Sequence, residues 1–179
     1  MNSLLIIFLL IVLVIAALID VRVRKIPNLL TYQTMVVALS YHCLRNGLDG
    51  LVFSAGGLVL GTMFFILPYL MGGMGAGDAK LMGSVGAIIG PYGVFVACLL
   101  TALVGGFYSL LTLLNNRQYS RGLIARSAMT LKTFAVTKQF IPIPAPEDEE
   151  KPKLCYGLAI AIGTSLYILF ELSGYNLIG

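Results

Sequence analysis

Apolar residues are gathered into long segments along the chain, and polar residues lie mostly between them. The apolar segments cover about residues 3–19, 29–44, 51–71, 81–114 and 154–170. A helix needs roughly 20 residues to cross the ~30 Å hydrocarbon core of a membrane, and ~17 at the short end. The fourth segment is too long for one crossing and contains Gly90-Pro91-Tyr92-Gly93, so we divide it at this turn signal. The pattern predicts an all-α bundle of about six transmembrane helices.

Composition and charge agree with this prediction and add an orientation. The chain is 58% hydrophobic and only 11% charged, whereas a soluble domain carries about 25% charged residues. With the N-terminus outside, the loops at about 20–28, 72–80 and 115–153 face inward and hold every basic residue except Arg45. This asymmetry follows the positive-inside rule. The net charge of +4 therefore indicates topology, and we expect no nucleic-acid partner.

We expect residues 1–179 to form a single integral membrane domain. Met1-Asn2-Ser3 lacks the basic region of a cleavable signal, so the first apolar segment is expected to be an uncleaved anchor. Within the inner loop 115–153, basic and apolar residues alternate over about 119–138. This alternation predicts an amphipathic helix that binds membrane lipid or helps to seat a substrate. A proline-rich linker and an acidic run at 147–150 follow it.

Two aspartates stand at the ends of apolar segments. Asp20 closes the first segment, and Asp78 follows Gly75-Ala76-Gly77 between the third and fourth segments. A carboxylate at such a place is costly in a membrane protein and is a functional candidate by default. The six-helix topology brings both acids to the same inner side. Taken singly, Asp20 could pair with a neighbouring arginine, either Arg22 or Arg24, and Asp78 could be a helix N-cap.

A pair of aspartates on one side of the membrane suggests a protease. Two adjacent carboxyl groups share one proton, so the ionised partner can take a proton from water while the other donates to the scissile carbonyl. The glycines beside Asp78 would let a peptide backbone approach closely, because they carry no Cβ. The run from Gly72 to Gly77 also fits a re-entrant strand. Lys80 is expected to tune Asp78, to contact substrate or to anchor the topology.

Other polar and small residues have structural interpretations. The three cysteines stand singly, with none of the spacing of a zinc site or a disulfide framework, and we expect neither metal nor other cofactor. Glycines four residues apart, at 57 and 61 and at 86 and 90, are typical of closely packed helices. His42 is expected to be packed and not catalytic. No internal repeat points to a transporter.

The sequences around the two acids resemble motifs of the type IV prepilin peptidases. The first-aspartate motif is matched by Asp20-Val-Arg-Val-Arg-Lys-Ile-Pro27-Asn28-Leu-Leu-Thr31, and the GxGD motif by Gly75-Ala-Gly77-Asp78-Ala-Lys80-Leu81. The final-helix segment of that family resembles Cys155-Tyr-Gly157-Leu-Ala-Ile-Ala-Ile-Gly163, although the family often has proline at the position of Cys155. The resemblance extends over essentially the whole chain.

The resemblance implies an aspartic endopeptidase of the bacterial cytoplasmic (inner) membrane. Its substrates would be prepilins or pseudopilins, which lose a short basic leader on the cytoplasmic side. Asp20 and Asp78 carry over as the catalytic pair, and the active-site loops carry over as Gly75, Gly77, Lys80, Pro27 and Asn28. The chain is similar to the short form associated with tight-adherence (Flp) pili, so no methyltransferase activity is expected. A non-enzymatic scaffold of a pilus assembly system and a small cation-coupled transporter are the alternatives.

Overall fold

The protein is helical throughout the part of the chain that its computed structural model describes, residues 3–115, 129–130 and 155–173. The helices are α1 (Ser3–Val23), α2 (Asn28–Leu70), α3 (Ala76–Asn115) and α4 (Tyr156–Leu172). Three of them, α1 to α3, are long and apolar enough to cross a membrane, and α4 is a shorter apolar helix. The predicted all-α class is confirmed for the described residues. The predicted amphipathic helix at 119–138 and the segment at 141–150 fall outside them, apart from residues 129–130.

The chain divides into two compact units. The first comprises Met1–Gly106 together with Cys155–Gly179, and the second comprises Phe107–Leu154. Within the first unit, α1 packs along α4 and more lightly on α2. Both aspartates and the start of α4 belong to this first unit. The candidate site therefore lies within one compact body.

The two longest helices, α2 and α3, are each interrupted by a glycine. At a rise of ~1.5 Å per residue, a helix of 43 residues such as α2 would be about 65 Å long, twice the thickness of a hydrocarbon core. The backbone leaves the helical region at Gly47 in α2 (φ 60°, ψ −137°) and at Gly90 in α3 (φ 80°, ψ 178°). Pro91 adds to the second break, because it has no N–H for a helical hydrogen bond. The break predicted at Gly90-Pro91 is confirmed.

The second half of α2 packs closely on the first half of α3. A Cβ at Gly57 would lie 2.7 Å from the carbonyl carbon of Gly86, and Gly86 faces the backbone of Gly57 in the same way. The Ser54 hydroxyl donates to the carbonyl oxygen of Ala87 at 2.7 Å across this contact. The predicted role of these glycines in helix packing is confirmed.

The first half of α3 forms the centre of the core. Residues 78–90 are all buried except Lys80, which is half-buried. By contrast, large apolar side chains are exposed on the outside of the helices, among them Leu4 (77% exposed) and Leu44 (88% exposed). Apolar surface of this extent is what a lipid environment accommodates. His42 is packed as predicted, since its Nε2 lies 3.1 Å from the carbonyl oxygen of Ile88.

The glycine-rich run before Asp78 is a turn, so the expected re-entrant strand is wrong. Gly72 has a φ of 72°, which favours glycine, and the Gly73 N–H donates to the carbonyl oxygen of Pro68 at 3.0 Å. Helix α3 already begins at Ala76. The reason is local: these turn hydrogen bonds satisfy the end of α2 while the chain reverses direction, and no neighbouring strand is needed.

Candidate active site

Asp20 lies in the last turn of α1, with only 6% of its surface exposed. Its Oδ2 accepts a hydrogen bond from the backbone N–H of Gly157 at 2.9 Å, which is contributed by the start of α4. Its carbonyl oxygen accepts from the N–H of Arg24 at 2.8 Å as α1 ends. The carboxylate is thus held by the backbone of α4, a partner that the ion-pair alternative did not anticipate.

The start of α4 is shaped around Asp20. Cys155 precedes the helix, and its Sγ lies 4.0 Å from the Asp20 carbonyl oxygen. At Gly157, a Cβ would lie 2.9 Å from Oδ2, 3.0 Å from Cβ and 3.1 Å from Cγ of Asp20. These distances leave no room for a side chain. Sequence reasoning missed Gly157 as a site residue, and its only signal was its place in the final-helix motif.

Asp78 lies in the first turn of α3 and is 7% exposed. Its Oδ2 accepts from the Gly75 N–H at 2.9 Å, and its own N–H donates to the Gly75 carbonyl oxygen at 3.1 Å. Asp78 is therefore the third residue of the helix and not its N-cap, which corrects the alternative given above. A side chain at this position can still satisfy a free N–H at the helix start, as in a capping box.

The loop that carries Asp78 rests on the turn that follows Asp20. A Cβ at Gly77 would lie 3.1 Å from the Cβ of Ile26, so the space beside Gly77 is filled by the chain itself and not left for a substrate backbone. Three residues further on, Lys80 Nζ donates to Asn28 Oδ1 at 2.9 Å. Pro27 stands between these contacts at the N-cap of α2. The predicted loop residues thus lie close together in the fold. Gly75 is hydrogen-bonded to Asp78, and the remaining four lie at this junction: Gly77, Lys80, Pro27 and Asn28.

Contacts place the two acids in neighbouring parts of this unit: Asp20 lies against the start of α4, and Gly77, beside Asp78, lies against Ile26 in the turn after Asp20. Burial raises the pKa of the Cys155 thiol, and the negative charges of Asp20 and Asp78 raise it further, against a lowering by Arg24. The influence of both acids on this one thiol agrees with a site formed by the end of α1, the start of α4 and the start of α3.

This arrangement has the components of acid–base chemistry. Two buried carboxyl groups come from separate helices, and each accepts one backbone N–H. Such a pair can hold one proton between them and act as base and acid on a water and a carbonyl. Among the described residues, no group of three histidine, cysteine or acidic side chains could hold a metal ion.

Comparison with known proteins gives two matches. The sequence pattern of the type IV leader peptidase family matches residues 7–110, more than half of the chain. A prepilin leader peptidase/N-methyltransferase of Aeromonas hydrophila is 33% identical over 117 residues, which cover 62% of this chain and 40% of that protein. The chain thus spans less than half the length of this relative. No solved structure matches it.

Proposed function

From the premise that this chain belongs to the type IV leader peptidase family, we propose that it is an aspartic endopeptidase that removes the leader peptides of prepilins or pseudopilins. Membership of a peptidase family makes protein processing its function in outline, and the A. hydrophila relative is named as a prepilin leader peptidase. The aspartic mechanism, the substrate and the side of the membrane are parts of the proposal.

The observation that carries the proposal is the placement of two buried acids: Asp20 accepts a hydrogen bond from the start of α4, and the loop before Asp78 packs at Gly77 on Ile26, in the turn that follows Asp20. In the proposed reaction, the ionised carboxylate takes a proton from a water molecule as that water attacks the scissile carbonyl carbon. The protonated carboxyl donates its proton to the carbonyl oxygen, which gives a tetrahedral intermediate with two hydroxyl groups. As the C–N bond breaks, the carboxyl that took the water proton donates it to the leaving nitrogen, and the other carboxylate takes a proton from one hydroxyl. This releases the leader and the mature amine and restores the pair. Both residues are catalytic in this scheme because they exchange protons with the reacting atoms.

The proposed topology has six crossings of the bacterial cytoplasmic membrane, with the N-terminus outside. The breaks at Gly47 and Gly90 support it, because each divides a helix that is too long for one crossing. In this topology the end of α1 and the start of α3 both lie at the cytoplasmic boundary. A substrate helix with a basic leader would present its cleavage point at the same depth.

The test is leader cleavage of a co-encoded pilin in membranes by the wild type, Asp20→Asn and Asp78→Asn. Asparagine keeps the size of the side chain but cannot exchange the proton. We expect each substitution to lower cleavage by at least ~10³-fold, since both residues of a catalytic unit are needed. Asp49→Asn is the matched control, because Asp49 is an exposed acid, and this variant should cleave like the wild type.

The outcome separates the proposal from its alternatives. Loss of cleavage in both aspartate variants, at normal levels of inserted protein, supports the catalytic pair. If either variant cleaves as fast as the wild type, the pair is wrong and a scaffold or transporter function takes its place. Loss of cleavage in Asp49→Asn as well would show that the assay reports folding and not catalysis.

A further inference from the structure

We propose that Gly157 is a positioning residue for Asp20, both through its backbone N–H and through its lack of a side chain. This inference rests on the proposed function, since it assigns how one member of the catalytic pair is held. Gly157 is the second residue of α4, and it lies 137 positions from Asp20 in the sequence. Its contact with Asp20 therefore depends entirely on the packing of α1 against α4.

The first part of the argument is the hydrogen bond. The Gly157 N–H is one of the free N–H groups at the start of a helix, which need a partner from outside the helix. It donates to Oδ2 of Asp20 at 2.9 Å in a buried setting. Hydrogen bonds to a carboxylate are stronger than those between neutral groups. This bond fixes one oxygen of the carboxylate and leaves the other for the reaction.

The second part is the absence of a side chain. A Cβ at position 157 would meet three atoms of the Asp20 side chain at 2.9–3.1 Å, whereas ordinary carbon contacts begin at about 3.5 Å. An alanine would have to move the carboxylate or the start of α4 by roughly half an ångström. Glycine is thus the residue that permits the hydrogen bond and the close approach together.

The expected consequence is a selective loss of turnover. Displacement of a catalytic group by ~1 Å costs about 100-fold in rate, so the smaller shift predicts a fall in kcat of ~10- to 100-fold for Gly157→Ala. An interaction that acts in the transition state lowers kcat and kcat/KM together. We therefore expect KM for the prepilin to stay within about twofold of the wild type.

A second glycine of α4 supplies the control for general packing damage. At Gly163 a Cβ would lie 2.6 Å from the backbone nitrogen and 2.7 Å from the Cα of Thr101, away from the aspartates. Gly163→Ala should lower the thermal midpoint, or the amount of folded protein, through overpacking. Its kcat per folded molecule should remain that of the wild type. Packing damage thus lowers stability or the amount of folded protein at an unchanged kcat, whereas a loss of positioning lowers kcat itself.

The kinetic experiment compares Gly157→Ala, Gly163→Ala and Asp20→Asn with the wild type in detergent, with rates divided by the folded fraction. A kcat loss at unchanged KM that is confined to Gly157→Ala and Asp20→Asn supports the proposal. If Asp20→Asn is inactive while Gly157→Ala has the kcat of the wild type, the positioning role is overturned and the peptidase function stands. If Asp20→Asn is active, the proposed function itself fails.

A cross-linking experiment tests the geometry without a measurement of activity. The chain carries Asp20→Cys with Gly157→Cys, its three native cysteines are replaced by serine, and copper phenanthroline is the oxidant. The Cβ separation of 3.0 Å is close to the ~3.5–4.5 Å of a disulfide, so a cross-link should form on oxidation. The control pair, Asp20→Cys with Gly163→Cys, should not form one. Equal cross-linking of the two pairs, or of neither, would overturn the proposal.

Discussion

The contact between Lys80 and Asn28 provides a quantitative test of how the two aspartate motifs are joined. Lys80 Nζ donates to Asn28 Oδ1 at 2.9 Å and lies 5.1 Å from the centroid of the Tyr32 ring. Residues two apart on a helix do not share a face, so these contacts direct Lys80 away from Asp78. The structure gives Lys80 the role of a brace between the starts of α2 and α3. The double-mutant cycle of Asn28→Ala and Lys80→Ala measures that brace.

The expected coupling follows from the environment of the pair. A hydrogen bond to a charged group is worth about 1.5–3 kcal/mol when it is shielded from water. Asn28 is exposed and Lys80 is half-buried. We therefore expect the coupling energy of this hydrogen bond to be about 1 kcal/mol after solvent screening. The ring contact adds roughly 0.5–1 kcal/mol to the loss in Lys80→Ala but not to the coupling with Asn28. The double variant should therefore be about 1 kcal/mol more stable than the sum of the single losses predicts.

The assay is reversible unfolding in mixed detergent micelles, together with the pH profile of leader cleavage. Two conservative variants serve as controls: Asn28→Asp keeps the acceptor, Tyr32→Phe keeps the ring, and both should retain stability within about 0.5 kcal/mol. The pH profile of Lys80→Ala should match that of the wild type. Additive losses in the cycle would disprove the brace, and a displaced pH profile would show that Lys80 acts on Asp78 instead.

Two further predictions concern the acids and the helix contacts. In a chain whose only cysteine is Cys155, Asp20→Asn should increase the rate of maleimide labelling at pH 8. Removal of the negative charge lowers the thiol pKa and raises the thiolate fraction. An unchanged rate would contradict the placement of the Asp20 carboxylate beside this thiol. Gly57→Ala should cost about 1–3 kcal/mol of unfolding free energy through its contact with Gly86. Gly56→Ala, which meets only a Pro91 ring carbon at 3.3 Å, should cost less than 1 kcal/mol, and equal losses in the two variants would contradict the close α2–α3 contact.

The features that the sequence predicted correctly are those set by local chemistry. The break at Gly90 followed from a glycine beside a proline, and its φ of 80° is the conformation that glycine supplies. The packing glycines followed from their spacing along a helix. The segment boundary between residues 44 and 51 corresponds to the break at Gly47, although α2 resumes directly beyond it. In each case, neighbouring residues carry enough information.

The features that the sequence could not supply depend on contacts between distant segments. Gly157 has no property that marks it until α1 and α4 pack together, and the partner of Lys80 is 52 residues away. Gly77 lacks a side chain to make room for Ile26, whereas the sequence suggested room for a substrate. The structural alternative for Asp78 was a helix N-cap, but the turn after α2 places Gly75 before the helix instead. Periodicity and motif spacing do not encode these pairings.

The choice of backbone partners bears directly on the proposed chemistry. A guanidinium beside either acid would favour its ionised form strongly, and an arginine that holds both carboxylates ionised would remove the shared proton that an aspartic peptidase needs. Among the described residues, the partners of the Asp20 and Asp78 carboxylates are the N–H groups of Gly157 and Gly75. These donors satisfy one oxygen of each buried carboxylate without adding a full positive charge. In the proposed mechanism, the two glycines thus hold one oxygen of each carboxylate while leaving the pair able to exchange the proton.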